Sequence, residues 1–392
     1  MAATDVSRKS DTSILNSQAF RGLVYQLLLG AGVLLLGWYL YYNAHTNLAH
    51  QNIATGFDFL EQPAGFNIGE SLIPFDSAQS YGRALLVGVI NTLYVAAFGI
   101  VLATILGVVM GIARVSSNWL ISTLASAYVE ACRNVPVVLH VIFWASVIRA
   151  LPPPREALAP FSGVFITNRG VIYPIPVEHP VYPWIALALG IGIVLAVLFA
   201  RWAARRRERT GQHIVAFWPG LAIVLFLPAA VWFVGGAPLA WSVPALRGFN
   251  FQGGASLTPE FVALLVGITV YTGAFIAEIV RSGIQSVPHG QVEAARAVGL
   301  RPGLVMRLVV LPQALRVIVP PTTSQYLSLT KNSSLGVLIG YPDLVNVGNT
   351  TLNQTGQALE AIAIMMAVYL MISLTISVFM NIYNRFVAIR ER

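Results

Sequence analysis

LVYQLLLGAGVLLLGWYLYY, residues 23–42, is a run of twenty residues without a charge. Wound as a helix at ~1.5 Å per residue it reaches ~30 Å, the thickness of a bilayer's hydrocarbon core. Arg8, Lys9 and Arg21 precede it, as they would in a signal peptide, but no Ala-x-Ala cleavage site follows at the usual distance. The run therefore predicts a retained signal-anchor helix. Similar uncharged stretches recur at Ala84–Ala113, Asn134–Ile148, Pro183–Ala200, Ile214 to about Gly236, Phe261–Ala277, Val317–Gly340 (interrupted by Lys331) and Ala361–Asn384. Together they predict an all-α integral membrane protein of about eight transmembrane helices. Trp38, Tyr39, Tyr41, Tyr42, Trp184, Trp202 and Trp241 stand near the ends of these runs, where interfacial aromatic belts form.

Composition agrees. Of 392 residues 56% are hydrophobic and 10% charged, against about 25% charged in an ordinary soluble domain. So few charges would not cover the surface of a soluble fold of this size. The net charge of +8 lies in short clusters between apolar runs, which excludes a nucleic-acid groove and points to loop anchoring. With Cys132 as the one cysteine, neither an intrachain disulfide nor a cysteine metal knuckle is possible. His45, His50, His140, His179, His213 and His289 show no metal spacing.

Charge also predicts orientation. Of the 24 lysines and arginines, eighteen fall on one side of the eight-span arrangement. Only Arg155, Arg169 and Arg247 fall on the other. The positive-inside rule then puts both termini in the cytoplasm of a multi-pass membrane protein. Three outside loops, Asn43–Gly82, Pro152–Tyr182 and about Ala237–Pro259, are rich in Gly and Pro and carry several acids, but show no strong secondary-structure pattern.

The inside loop Ser286-Val-Pro-His-Gly-Gln-Val-Glu-Ala-Ala-Arg-Ala-Val-Gly-Leu-Arg, running on to Leu311-Pro312, is the most informative polar segment. Pro288 suits a first helical turn with Ser286 before it as a cap, Gln291–Val298 are good helix formers, and Gly299 suits a left-handed stop. This predicts a short helix, a sharp turn and a second helix re-entering the membrane. Small Ala294 and Ala295 would let a partner backbone approach. A solvated linker between spans is the plainer alternative.

Glu293-Ala294-Ala295, Gly299, Val309 and Leu311-Pro312 resemble the EAA loop of ABC importer permeases. Tyr271-Thr-Gly-Ala-Phe-Ile-Ala-Glu-Ile-Val-Arg-Ser-Gly-Ile-Gln-Ser-Val-Pro, Leu311-Pro-Gln-Ala-Leu-Arg and Ser328-Leu-Thr-Lys-Asn-Ser-Ser-Leu are similar to the polar-amino-acid (histidine/glutamine) branch of that family. The resemblance covers roughly 84–150 and 260–386. It implies a type I importer core and a coupling loop, about 284–312, that seats on an ATPase subunit through Glu293, Ala294, Ala295, Gly299, Leu311 and Pro312. An extra N-terminal span and two further spans between Leu151 and Phe261 are similar to the longer, Q-type permease of general L-amino-acid importers. The chain then divides into 1–82, 83–151, the insertion 152–259, and 260–392. The resemblance implies a second, different permease, two ATPase subunits, a periplasmic amino-acid-binding protein and surrounding membrane lipid as partners. Arg133-Asn-Val-Pro136 followed by His140 replaces the branch's frequent Arg-Gly-Thr-Pro and Gln, which leaves the carried amino acid open.

Lys331 interrupts the seventh span, where a lone charge costs at least ~2.5 kcal/mol and usually faces a cavity or a partner. Lys331, Asn332, Ser333 and Ser334 are thus the candidate substrate path; contact with the second permease or with the chain's own helix ends is the alternative. Trp119–Arg133, ahead of Pro136, is amphipathic and predicts an interfacial helix on the cytoplasmic surface; Glu130 and Arg133 on one face read as a structural ion pair, with a substrate contact as the alternative, and Glu278 with Arg281 reads the same way. Gly107-Val-Val-Met-Gly111 is a small-residue packing pattern. No GxxxxGK[ST] occurs; the resemblance to ABC permeases then implies that ATP and Mg²⁺ are bound by separate ATPase subunits and that this chain is non-catalytic, with no cofactor of its own. A secondary amino-acid transporter is the rival; an asymmetric layout with one mid-span lysine argues against it.

Overall fold

The computed structural model describes residues 18–50, 55–211 and 215–387. Arg8, Lys9, His213 and Ile214 lie outside them, as do Arg390 and Arg392, two of the eighteen basic residues counted on the inner side. Seven described helical stretches are long and apolar enough to cross a membrane. They contain α1 (Gln18–His50), α2 (Tyr81–Arg114), α5 (Tyr182–Thr210), α6 (Phe217–Val234), α7 (Pro259–Gln285), α10 (Leu311–Asn332) and α12 (Ala358–Val387). An eighth crossing requires α3 (Trp119–Asn134) and α4 (Val137–Arg149) taken together, and these are bent by 105°. The amphipathic stretch ahead of Pro136 is the separate helix α3, and the predicted span Asn134–Ile148 is corrected only in its start. Its straight part starts at Val137, after Pro136, and its 13 residues reach only ~20 Å. Proline cannot continue the hydrogen-bond ladder of α3, so the chain turns there.

The chain forms two compact units. The larger, Thr92–Tyr341 with the residues from Thr375, is organised on α7. Thr258 caps α7, its Oγ1 accepting from the Phe261 N–H at 3.2 Å. Small residues on α7 admit each neighbour. Cα and N of Val141 on α4 would lie 3.2 and 3.3 Å from a Cβ at Gly267, and Ile318 on α10 fills the space at Gly283. Ala274 and Ala277 pack with Val129 and Cys132 of α3. On α2, a Cβ at Gly107 would fall 2.5 Å from Ile276 and one at Gly111 2.6 Å from Val280, so the small-residue pattern is a packing face. Val95, Leu264, Ile268, Ile276 and Leu329 are buried in the resulting core.

The smaller unit holds the described residues up to Asn91 and Pro342–Leu374. Residues 55–80 fold onto the start of α2 with Phe59 and Ala64 buried beside Tyr81. Asp343 caps α11 (Leu344–Thr355), a helix that the sequence pattern did not reveal; Oδ1 accepts from the Asn346 N–H at 2.9 Å. Asn91 Nδ2 donates to the carbonyls of Glu70 and Pro342 at 2.8 and 2.9 Å.

The second and third outside loops contain strands after all. β1 (Leu158–Phe161), β2 (Val164–Thr167), β3 (Gly170–Tyr173) and, from the far side of the α5–α6 hairpin, β8 (Ala255–Leu257) form one antiparallel sheet in that order. Val171 pairs with Leu257 and Tyr173 with Ala255. β4 (Ile175–Pro176) pairs with β5 (Trp241–Ser242), and β6 (Ala245–Arg247) with β7 (Asn250–Gln252). Both ends of the hairpin thus return to one side, as an even number of crossings between them requires.

Candidate functional site

The loop after α7 is a chain of short, capped elements. Ser286 ends α7 rather than starting the next helix: its N–H donates to the Ser282 carbonyl and its hydroxyl to that of Gly283. The predicted Ser286 cap is corrected accordingly. Helix α8 (His289–Ala297) follows Pro288. It closes on Gly299 at φ +82°, with the Leu300 N–H donating to the Ala295 carbonyl at 3.2 Å and the Gly299 N–H to that of Arg296 at 2.9 Å. These two bonds are the paired closure of a Schellman turn, with Leu300 and Ala295 in the same apolar cluster. Then come α9 (Pro302–Val305), a π turn at Met306–Val310, and α10. The π turn precedes Pro312, which has no N–H to give to the carbonyl four residues back; the Leu311 N–H reaches Met306 instead.

The two alanines of the predicted docking face separate. Ala295 is buried with Val287, Val305, Val310 and Ala314 and serves the chain's own packing. Glu293 and Ala294 are exposed, as is Val298, one turn beyond Ala294 and 77% accessible. Val298 was not singled out in the sequence, although its i+4 spacing from Ala294 marks the face. Gly299 and Leu311 are exposed and Pro312 is half-buried.

A four-residue ion cluster fastens the end of α7 that leads into this loop. Glu278 pairs with Arg114 at the end of α2, with Arg281 (Nε to Oε2 3.3 Å) and with Arg133 of α3 at 3.7 Å. Arg133 also lies over the Phe275 ring, 5.2 Å from its centroid. Among the described residues no ion pair joins Glu130 to Arg133, so that pairing is corrected. Arg133 turns to Glu278 because α3 packs along α7, a long-range contact with no local sequence signal. His140 is satisfied through the Cys132 carbonyl at 3.2 Å and the Tyr271 ring.

Lys331 lies in the last turn of α10, exposed, where the helix passes into a 3₁₀ segment, Ser333–Ile339. Its charge complements the negative helix end, and no ion pair to it occurs among the described residues. Ser333 is buried, its hydroxyl donating to the Thr330 carbonyl at 2.7 Å, while Ser334 donates to that of Lys331. Asn332 is half-buried. The four candidate path residues do not share one surface.

Comparison with known proteins follows the same lines. Residues 188–392 match the family described as "Binding-protein-dependent transport system inner membrane component". The chain is 48% identical over 384 residues to the general L-amino acid transport system permease protein AapQ of Rhizobium johnstonii, covering 97% of this chain and 95% of that one. It is 49% identical to the putative amino-acid ABC transporter permease protein YhdX of Escherichia coli, over 95% of each. To the glutamate/glutamine/aspartate/asparagine transport system permease protein BztB of Rhodobacter capsulatus it is 41% identical, over 94% of this chain and 93% of that one.

Proposed function

The chain belongs to the binding-protein-dependent transport system inner membrane components, and from that membership we propose that it is the membrane-spanning permease of an ABC importer for L-amino acids. Relatives that match it along nearly the whole length carry names of amino-acid permeases, and one is named as an ABC permease. The rival secondary transporter is not favoured by this kinship.

The observation that carries the mechanism is the exposed ridge of Glu293, Ala294 and Val298 on a loop closed by its own hydrogen bonds and packed through Ala295. The ridge seats in a separate ATPase subunit, which binds ATP and Mg²⁺. A push on α8 is passed through Ala295, Val305, Val310 and Ala314 to the start of α10, and through the α7 end to α2 and α3 by way of Glu278. The inner ends of these helices therefore move together. That is what alternating access needs from a coupling element. Leu311 and Pro312 set the entry angle of α10 rather than the contact itself.

A second, different permease faces the exposed side of α10. The substrate path runs between the two, with Lys331 and its neighbours Asn332 and Ser334 at its wall, since a charge on an outward face requires a polar partner there. A binding protein delivers substrate at the face formed by the β strands. Both termini lie in the cytoplasm, a reading supported by the bias of lysine and arginine.

The test is to purify the full chain with its accompanying proteins and reconstitute it. An ATPase and a second permease should accompany it, and ATP hydrolysis should rise with loaded amino-acid-binding protein. Uptake by this chain alone, driven by a proton gradient without ATP, would overturn the proposal.

A further inference from the structure

The α5–α6 hairpin contains a feature that coupling does not use. An apolar groove of about 580 Å³ runs between the two helices, lined by Leu195, Leu198, Phe199 and Trp202 of α5 and by Ile223 and Phe226 of α6. Along α5 it extends from residue 195 to 202, ~10 Å at the helical rise. Arg201, Arg205, Arg206, Arg207 and Arg209 crowd the same end of α5, all exposed. In sequence only Glu208 offsets them. No ion pair to these five arginines occurs among the described residues. The Arg206 guanidinium lies over the Trp202 ring at 5.3 Å, so the groove's mouth and the charge cluster are continuous.

We propose that this groove is a binding site for an anionic phospholipid of the surrounding bilayer. Its acyl chain lies between α5 and α6, and its phosphate is held by Arg205 and Arg206. A helix from a partner protein could cover an apolar groove equally well, but a helix alone does not answer a net-positive arginine cluster at the groove's end. An anionic phospholipid answers both, because it joins an acyl chain to a phosphate and the cluster adjoins the groove's mouth. A topology signal, for its part, needs the charges but no groove. The proposal is independent of the transport reading.

The test is native mass spectrometry of the purified full chain with its accompanying proteins. Dioleoyl phosphatidylglycerol and dioleoyl phosphatidylcholine, which share acyl chains, are added in equal amounts. Wild type should retain the anionic lipid at least about fivefold better, the effect of one well-placed arginine near anionic lipid. R205Q/R206Q should lose that preference while phosphatidylcholine adducts persist. Ile223→Trp, which fills the groove and leaves the arginines, should also reduce phosphatidylglycerol adducts. A photoreactive group at Leu198 in the otherwise wild-type chain guards against misfolded variants and should cross-link to lipid. Equal retention of both lipids, an unchanged preference in R205Q/R206Q, no effect of Ile223→Trp, or a protein cross-link from position 198 would each overturn the proposal.

Discussion

Gly299→Val isolates the mechanical role of the loop. At φ +82° a side chain meets its own backbone, at a cost of ~1–2 kcal/mol, more for a β-branched residue. A Cβ there would meet nothing within 4 Å, so collision with the rest of the chain adds nothing. If the turn instead leaves the left-handed region, the Leu300–Ala295 and Gly299–Arg296 bonds go, each worth ~1 kcal/mol net. Leu300 also leaves its cluster with Ala295. Either route costs ~2–4 kcal/mol of loop geometry, enough to lower the seated population by ~30-fold or more. The assay is ATP hydrolysis by the reconstituted complex with and without loaded binding protein. Valine should abolish the stimulation and alanine should weaken it. Asparagine, which tolerates left-handed backbone, should keep most of it. Full stimulation in the valine variant would refute the reasoning. Asparagine as damaging as valine would move the requirement from φ to a partner's close approach.

Other expectations follow from the packing and the charges. Gly107→Ala should lower the thermal stability of the purified chain by ~1–3 kcal/mol, because its Cβ would press on Ile276; unchanged melting would show that α2 and α7 are not in contact. Burial raises the Asp343 carboxyl from its ordinary range to about 7, against the hydrogen bonds that favour its charged form. The fold therefore holds this proton more tightly than the unfolded chain. Stability is lost as pH rises from ~4 towards 7, and Asp343→Asn should be more stable than wild type at pH 8 but not at pH 4. A difference in melting that does not change with pH would contradict that. Lys331→Ala should cut uptake well over twofold while the complex assembles and binds ATP; normal uptake at normal abundance would remove Lys331 from the path.

Membrane character was legible because charge is scarce in long stretches, and desolvation makes that signal insensitive to detail. The loop helix and its stop were legible for a local reason: Gly299 is read from the helix formers before it. The α11 helix was not, since Leu344–Thr355 is dense in Asn, Thr and Gly, and its stability comes from the Asp343 cap and from burial of Leu344, Val347, Gly348 and Thr351. The strands of the outside loops escaped because they are two to four residues long and pair across the whole α5–α6 hairpin. The break between α3 and α4 was legible because Trp119–Arg133 is amphipathic and ends just before Pro136; only the start of the following span was set a few residues early, by uncharged length.

What periodicity conveys is that a helix has a face; it does not say what the face meets. Ala294 and Ala295 are adjacent small residues, alike to a reader of sequence, yet successive helical positions differ by ~100° around the axis. One alanine must turn from the chain when the other turns towards it. Val305, Val310 and Ala314 decide which, by offering Ala295 a pocket built from α9 and the start of α10. The outward face then includes Ala294 and, one turn on, Val298. Glu278 is a parallel case: Arg281 is found by i+3 spacing, but Arg114 and Arg133 reach it only because α2 and α3 pack on the small residues of α7. The coupling path from α8 to α2 thus depends on tertiary packing at Gly107, Gly111, Ala274 and Ala277. A bulkier residue at any of these should weaken coupling without touching the loop.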